Sequence, residues 1–176
     1  MKKLIYLLFF IIAFFGCNND KSNVQKEAKL DKTKPKSLSI DFNFRTSEAD
    51  EFRVMINNIE VDEFQKKNIQ IIENVTKSTS DDNIVANFDA NNLSKQVVIH
   101  LGSKTEKEVT INGVLISYGD KQFNLTSPQD FNSSLVFNNF IVRDSTSNVI
   151  TTKRIDGKLN PTIRLKNSLI NQLQRE

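Results

Sequence analysis

The chain has 176 residues, which is enough for one domain with a modest core. Its 24 basic and 21 acidic residues are mixed in sign and give a net charge of only +3, which argues against a nucleic-acid-binding protein. The single cysteine excludes an intramolecular disulfide.

The N-terminus has the layout of a secretory signal. Two lysines follow Met1, residues 4–15 form an uninterrupted apolar run, and Gly16 and Cys17 come before a polar stretch. The apolar run has roughly a dozen residues, whereas a helix needs about 20 to cross the hydrocarbon core of a bilayer. A permanent transmembrane anchor is therefore the weaker alternative.

The position of Cys17 resembles the lipobox of bacterial lipoproteins, in which the signal is cut before the cysteine and the thiol carries a diacylglycerol. Phe14 and Phe15 depart from the strict pattern, and this looser form is similar to lipoboxes of Bacteroidota. The resemblance implies a signal peptide at residues 1–16 and a lipidated Cys17. It also implies anchoring to a bacterial membrane, with the outer membrane as the preferred location, and a domain that is periplasmic or surface-exposed. The alternative is a secreted protein with a free thiol.

The residues after the signal divide into two parts. Residues 17–36 are rich in Lys, Asp, Asn, Ser and Gln, and they predict a flexible tether that follows the lipidated cysteine. Residues 37–176 are predicted to form the folded domain. Removal of Lys2 and Lys3 leaves 22 basic residues against 21 acidic ones, so the mature charge is near zero.

Apolar residues alternate with polar ones from Leu38 onward, which indicates half-buried strands. The predicted strands are 38–44, 52–56, 59–61, 69–72, 84–88, 97–101, 109–118, 122–125, 135–142, 149–155 and 162–166.

Turn and cap signals separate several of these strands. Gly119-Asp120 predicts a two-residue hairpin loop, Asp156-Gly157 predicts a second turn, and Gly113 is interpreted as a β-bulge within one long strand. Ser127-Pro128 predicts the start of a helix, and residues 167–174 predict a closing helical turn.

Many short strands with frequent turns predict an all-β fold, an antiparallel β-sandwich that is jelly-roll-like. The segments LSIDFNF, DEFRVMIN, VVIHLG, VTINGVLISYGDKQFNL and GKLNPTIRL occur in that order. They resemble the galactose-binding-like jelly-roll domains of bacterial envelope proteins, and the resemblance implies the same sandwich fold.

No catalytic residue, cofactor or metal site is predicted. His100 is the only histidine and has no recognisable partner, so a structural role on its strand is favoured. Adjacent acidic pairs such as Asp50-Glu51 cannot converge on a strand, because neighbouring side chains face opposite ways. Solvation of these acidic residues in loops and turns is the favoured interpretation. Asp81, Asp82 and Asn83 offer oxygen atoms to calcium, but solvation in a loop is the favoured interpretation.

Sugar-binding sites usually present an exposed aromatic ring, and this chain has no Trp. Tyr6 leaves with the signal, so Tyr118 is the remaining tyrosine. Phe64 lies in a polar stretch off the strand alternation, which makes Phe64 and Tyr118 the candidate ligand contacts. Recognition of a glycan by polar loops stays open.

Asp144-Ser145-Thr146 resembles the acceptor sequence for O-glycosylation of exported Bacteroidota proteins, which makes Ser145 a candidate modification site. An ordinary Asx turn is the favoured reading of the same residues.

The leading functional hypothesis is a non-enzymatic, membrane-anchored binding or accessory module of the cell envelope. Its expected partner is an envelope protein or a glycan, and not nucleic acid. A carbohydrate-recognition lipoprotein is the second hypothesis, and an envelope hydrolase is the third.

Overall fold

The computed structural model describes residues 36–57, 70–88 and 96–175. Within these residues two antiparallel sheets pack face to face. The predicted all-β sandwich is therefore confirmed. The signal, Cys17, the tether up to residue 35, Phe64 and the predicted strand 59–61 lie outside the described residues.

The described residues form eleven strands and two helices. They are β1 (Leu38–Thr46), β2 (Asp50–Asn57), β3 (Gln70–Val75), β4 (Asp82–Phe88), β5 (Gln96–His100), β6 (Glu108–Tyr118), β7 (Lys121–Leu125), α1 (Pro128–Ser134), β8 (Leu135–Phe137), β9 (Ile141–Arg143), β10 (Val149–Thr152), β11 (Thr162–Leu165) and α2 (Asn167–Gln174).

The chain crosses repeatedly between the two sheets. The six-stranded sheet has the order β4-β1-β6-β10-β9, with β7 also paired to β6. The five-stranded sheet has the order β3-β2-β5-β11-β8. Because β1 and β2 lie in different sheets, as do β5 and β6, most of the pairing joins residues far apart in sequence.

The core lies between the inward faces of the sheets, as the period-two alternation predicts. Leu38, Ile40, Phe42 and Phe44 alternate along β1 and are fully buried. The rings of Phe42 and Phe44 stack at 4.9 Å, and Phe52 of the opposite sheet lies 5.1 Å from Phe44. The contact between Phe44 and Phe52 joins the two sheets, and the residues that alternate with the buried ones along β1 lie on the outer face.

The predicted long strand with a bulge is confirmed in β6. Asn43 of β1 lies opposite Gly113 and Phe44 lies opposite Ile111, so Asn112 is the extra residue. On its other side β6 pairs with β10 up to Thr110 and with β7 from Val114 onward. The bulge therefore lies where β6 changes its partner strand.

Both predicted tight turns are confirmed. Tyr118 pairs with Lys121 across Gly119-Asp120, and Gly119 has a φ of +64°. Asp156 and Gly157 have φ values of 49° and 75° between the bridged residues Ile155 and Lys158. Glycine adopts positive φ without a steric penalty, so the position of the glycine determines where each hairpin loop forms.

The predicted helix start at Ser127 is confirmed by a capping box. The Ser127 hydroxyl accepts a hydrogen bond from the Asp130 amide, and the Asp130 carboxylate accepts one from the Ser127 amide. The predicted closing helical turn forms α2, in which Leu169, Ile170 and Leu173 are buried.

The prediction of one strand over residues 135–142 is wrong. β8 joins the five-stranded sheet and β9 joins the six-stranded sheet, so the chain changes sheets between them. The Asn138 side chain donates to the Asn160 carbonyl and accepts from the Thr162 amide, while the Asn138 carbonyl accepts from the Ile141 amide. These bonds end β8 and turn the chain.

Candidate functional site

The outer face of the six-stranded sheet carries two adjacent polar hollows. Both are lined by outward residues of β1 and β6 together with residues 77–81, the segment before β4. The Arg45 side chain, from one hollow, forms a 3.3 Å ion pair with Asp81, from the other. This pair marks the boundary between the hollows.

The first hollow, called here the Gly113 hollow, has a volume of about 300 Å³. Most of its lining side chains carry a carboxylate or a carboxamide. The lining residues are Asp41, Asn43, Asp81, Asn112, Gly113, Leu115, Asn124 and Thr126.

The bulge of β6 explains this opening. Asn112 is the extra residue and donates through its Nδ2 to Asn43 Oδ1 at 3.1 Å. Gly113, beside it, carries no side chain to fill the space over the sheet. Only ordinary contacts would meet a Cβ there, the nearest being the Leu125 carbonyl oxygen at 3.6 Å.

The second hollow, called here the Arg45 hollow, has a volume of about 480 Å³. It is lined by Arg45, Thr46, Ser47, Lys77, Ser78, Thr79, Glu108 and Thr110. Its two cations have acidic neighbours, since Arg45 pairs with Asp81 and Lys77 lies 3.5 Å from Glu48. The charges are largely balanced within the hollow, which favours a polar ligand of low net charge.

A buried ion pair lies at one end of the sandwich. The Asp50 and Lys107 side chains are 1% and 0% exposed, and Lys107 Nζ donates to Asp50 Oδ2 at 2.5 Å. The same carboxylate accepts from the amides of Glu51 at 2.7 Å, Lys104 at 3.0 Å and Thr105 at 3.4 Å. It thereby fixes the loop between β5 and β6 against the start of β2.

Lys107 completes this arrangement with two further contacts. Its Nζ donates to the Leu101 carbonyl at 3.0 Å and lies 5.8 Å from the centre of the Phe52 ring. Because Lys107 and Asp50 are both shielded from solvent, the pair cannot meet a substrate and serves the fold. The sequence interpretation of Asp50 as a solvated acidic residue is wrong, since its carboxylate is buried and paired.

Two opposing effects set the pKa of Asp50. Burial raises it, but the hydrogen bonds from Lys107 and from the Glu51 and Lys104 amides outweigh burial and hold the pKa below its ordinary value of 3.8. The stabilisation from this carboxylate is therefore present above pH 3.8 and is lost as the pH falls through the lower, folded-state pKa.

Of the two predicted ligand contacts, only Tyr118 lies among the described residues. It is half-buried at the end of β6, packs against the core, and lines neither hollow. The structure does not bring Tyr118 together with the polar residues of the outer face.

Ser145 lies on the exposed loop between β9 and β10. Asp144 Oδ1 accepts from the Thr146 amide at 2.9 Å and from the Thr146 hydroxyl at 2.8 Å, so the predicted Asx turn is present. These two hydrogen bonds also lower the pKa of Asp144. The Ser145 carbonyl is bound by the Asn132 side chain, at 2.8 Å from its Nδ2.

His100 uses both ring nitrogens in local structure. Its Nε2 lies 2.9 Å from Asn160 Oδ1, and its Nδ1 accepts from the Gly102 amide at 3.2 Å. Burial lowers the pKa of His100, so the imidazole is neutral at neutral pH. This geometry fits a neutral ring with its proton on Nε2.

The segment considered for calcium binding has other contacts. Asp81 pairs with Arg45, and Asp82 Oδ1 accepts from the Asn83 amide. Among residues 36–57, 70–88 and 96–175, no group of three or more His, Cys, Asp or Glu side chains is placed to hold a metal ion. Over the same ranges, no helix is long and apolar enough to cross a bilayer.

Comparisons with protein-family models, with curated proteins and with solved structures find no match for this chain.

Sequence reasoning did not identify the Gly113 hollow, although one signal for it was present. Asn and Asp are depleted in strands, yet Asp41, Asn43, Asn112 and Asn124 occupy outward positions on three neighbouring strands. The alternation explains why they face outward but does not require these residue types. Their convergence depends on the strand order, which the sequence did not reveal.

Proposed function

We propose that the chain is a lipid-anchored, non-enzymatic binding module of the bacterial cell envelope. In this proposal the lipid on Cys17 anchors the protein to a bacterial membrane, with the outer membrane as the preferred location. Residues 17–36 act as the tether. The domain that begins at residue 37 then presents its binding surface to an envelope partner.

The binding role is supported by the Gly113 hollow together with the adjacent Arg45 hollow. Surface strands are ordinarily covered by varied polar side chains, whereas here a bulge and a glycine open a space surrounded by hydrogen-bonding groups. The donors and acceptors of Asn43, Asn112 and Asn124 suit recognition of a polar partner.

A carbohydrate-recognition lipoprotein is the second candidate, favoured by the carboxylate and carboxamide lining of the Gly113 hollow. An envelope hydrolase ranks third. Ser145 stays a candidate O-glycosylation position, supported by its exposure on a surface loop.

The anchoring part of the proposal predicts the behaviour of Cys17→Ser. Cells expressing the wild-type chain with a fatty-acid probe are expected to label it, because the thiol is the acceptor of the lipid. The Cys17→Ser variant is expected to lose the label completely, since a hydroxyl does not replace the thiolate nucleophile. Asn18→Ala, next to the cysteine, is the matched control and should label like wild type. Equal labelling of Cys17→Ser and wild type would contradict lipid anchoring.

A further inference from the structure

We propose that β4 pairs with β4 of a second copy of this chain about a two-fold axis at Val85. The six-stranded sheets of the two copies then join into one continuous sheet. This inference goes beyond the proposed binding function, because the pairing does not depend on what the Gly113 hollow binds.

β4 is an edge strand that lacks the usual protection against further pairing. Among the described residues it pairs only with β1, so its other side offers backbone amides and carbonyls. Natural edge strands are kept from pairing by charged side chains, proline, bulges or short length. β4 has seven residues, no Lys, Arg or Pro, and an unbroken register with β1. Its one charged residue is Asp82, at the first position.

The other described edge strands of the sandwich do carry such protection. β3 has Glu73 exposed in its second half, and β7 begins with Lys121. β8 and β9 have only three residues each. Of the edges that the structure describes, β4 is therefore the one most open to another strand.

The side chains of β4 are complementary to a second copy of themselves. In an antiparallel pair centred on Val85, Val85 faces Val85 of the second copy, and Asn83 faces Asn87. Val85 is 49% exposed, and both asparagines are exposed on the same outer face. The pairing covers the two valines with each other and places a carboxamide, which both donates and accepts, opposite another carboxamide on either side.

The charges of β4 also fit a second copy. In this register Asp82 lies opposite Phe88, so the two Asp82 carboxylates are offset by six residues. At the rise of a strand this offset is about 20 Å, which keeps the like charges apart. Because each exposed side chain meets a suitable one, the strand needs no other protein to complete the pair.

The symmetry of this contact affects the binding surface. The axis that relates two antiparallel edge strands is perpendicular to the sheet, so the outer faces of both copies point the same way. Asp41, which lines the Gly113 hollow, is directly opposite Val85 on β1. The two Asp41 residues are then three strand spacings apart, about 14 Å, and both hollows can meet one extended partner.

Disulfide cross-linking of Val85→Cys tests the contact in isolated cell envelopes. Directly opposed residues of antiparallel strands have Cα atoms about 4.5–5.5 Å apart, which is within the range for a disulfide. The matched control is Val142→Cys, since Val142 is 51% exposed on β9 at the other edge of the same sheet. Both variants contain Cys17, so any disulfide through Cys17 affects them equally.

Under a mild oxidant the full chain with Val85→Cys is expected to form dimers about tenfold faster than Val142→Cys, because the paired strands hold the two thiols together. A second measurement uses light scattering of the full chain in mild detergent. Wild type and Val142→Lys are expected to be dimers, whereas Val85→Lys is expected to be a monomer because two ammonium groups meet at the axis. Urea unfolding midpoints check that each variant is folded.

Three results would overturn the proposal. They are equal cross-linking rates for Val85→Cys and Val142→Cys, a wild-type chain that is monomeric, and a folded Val85→Lys variant that remains a dimer. A cross-link from Val85→Cys to a protein of another size would also overturn it, because a different partner would then occupy the edge of β4.

Discussion

Replacement of Lys107 by methionine is expected to lower the free energy of unfolding by about 3–5 kcal/mol, the usual cost of removing one partner of a buried ion pair. Methionine preserves most of the side-chain volume but leaves the Asp50 carboxylate buried without its cation. The carbonyl of Leu101 also loses a donor. Urea unfolding at neutral pH measures the effect.

The Lys104→Met variant is the matched control for Lys107→Met. Lys104 belongs to the same loop and has an exposed side chain, while its contact with Asp50 is made by the backbone amide and survives the change. We expect this control to stay within about 0.5 kcal/mol of wild type. A cost below about 1 kcal/mol for Lys107→Met would contradict the structural role of the pair.

Gly102→Ala is expected to lower the free energy of unfolding by about as much as Lys107→Met, roughly 3–5 kcal/mol, for two separate reasons. Gly102 has a φ of +79°, which strains any residue with a side chain. An added Cβ would also lie 2.2 Å from Asp50 Cγ, so the carboxylate has to leave the amides and the ammonium that it binds.

Gly157→Ala separates these two causes. Gly157 has a similar φ of +75°, but no atom lies within 4 Å of the position that a Cβ would take. The Gly157→Ala variant is expected to lower the free energy of unfolding by only about 1–2 kcal/mol, because it adds backbone strain alone. If the urea midpoints of Gly102→Ala and Gly157→Ala are equal, the close approach of Gly102 to Asp50 does not constrain the fold.

The alternation of apolar and polar residues was sufficient to predict the individual strands of the sandwich. Leu38, Ile40, Phe42 and Phe44 had to share one face, and their burial confirms it. Gly119 marked its turn because that position has a positive φ, and Gly113 marked the bulge because glycine within a strand often lies beside one. Such features depend on neighbouring residues only.

The sequence could not reveal features that depend on distant pairing. Residues 135–142 have the composition of one strand, but hydrogen bonds from Asn138 to residues near β11 divide them between the sheets. Asp50 and Lys107 are 57 positions apart and meet only after β2 and the loop before β6 are brought together. The Gly113 hollow likewise needs β1, β6 and β7 to lie side by side.

The most direct test of the central claim is the retention of the domain on isolated cell envelopes without its lipid. A chain that begins at Ser37 carries every described strand and is used as wild type, as Gly113→Val and as Arg164→Gln, which changes an exposed residue of the five-stranded sheet. We predict that wild type and Arg164→Gln co-sediment with the envelopes and that Gly113→Val does not. Equal sedimentation of Gly113→Val and wild type, or no sedimentation of either, would contradict a binding surface on the six-stranded sheet.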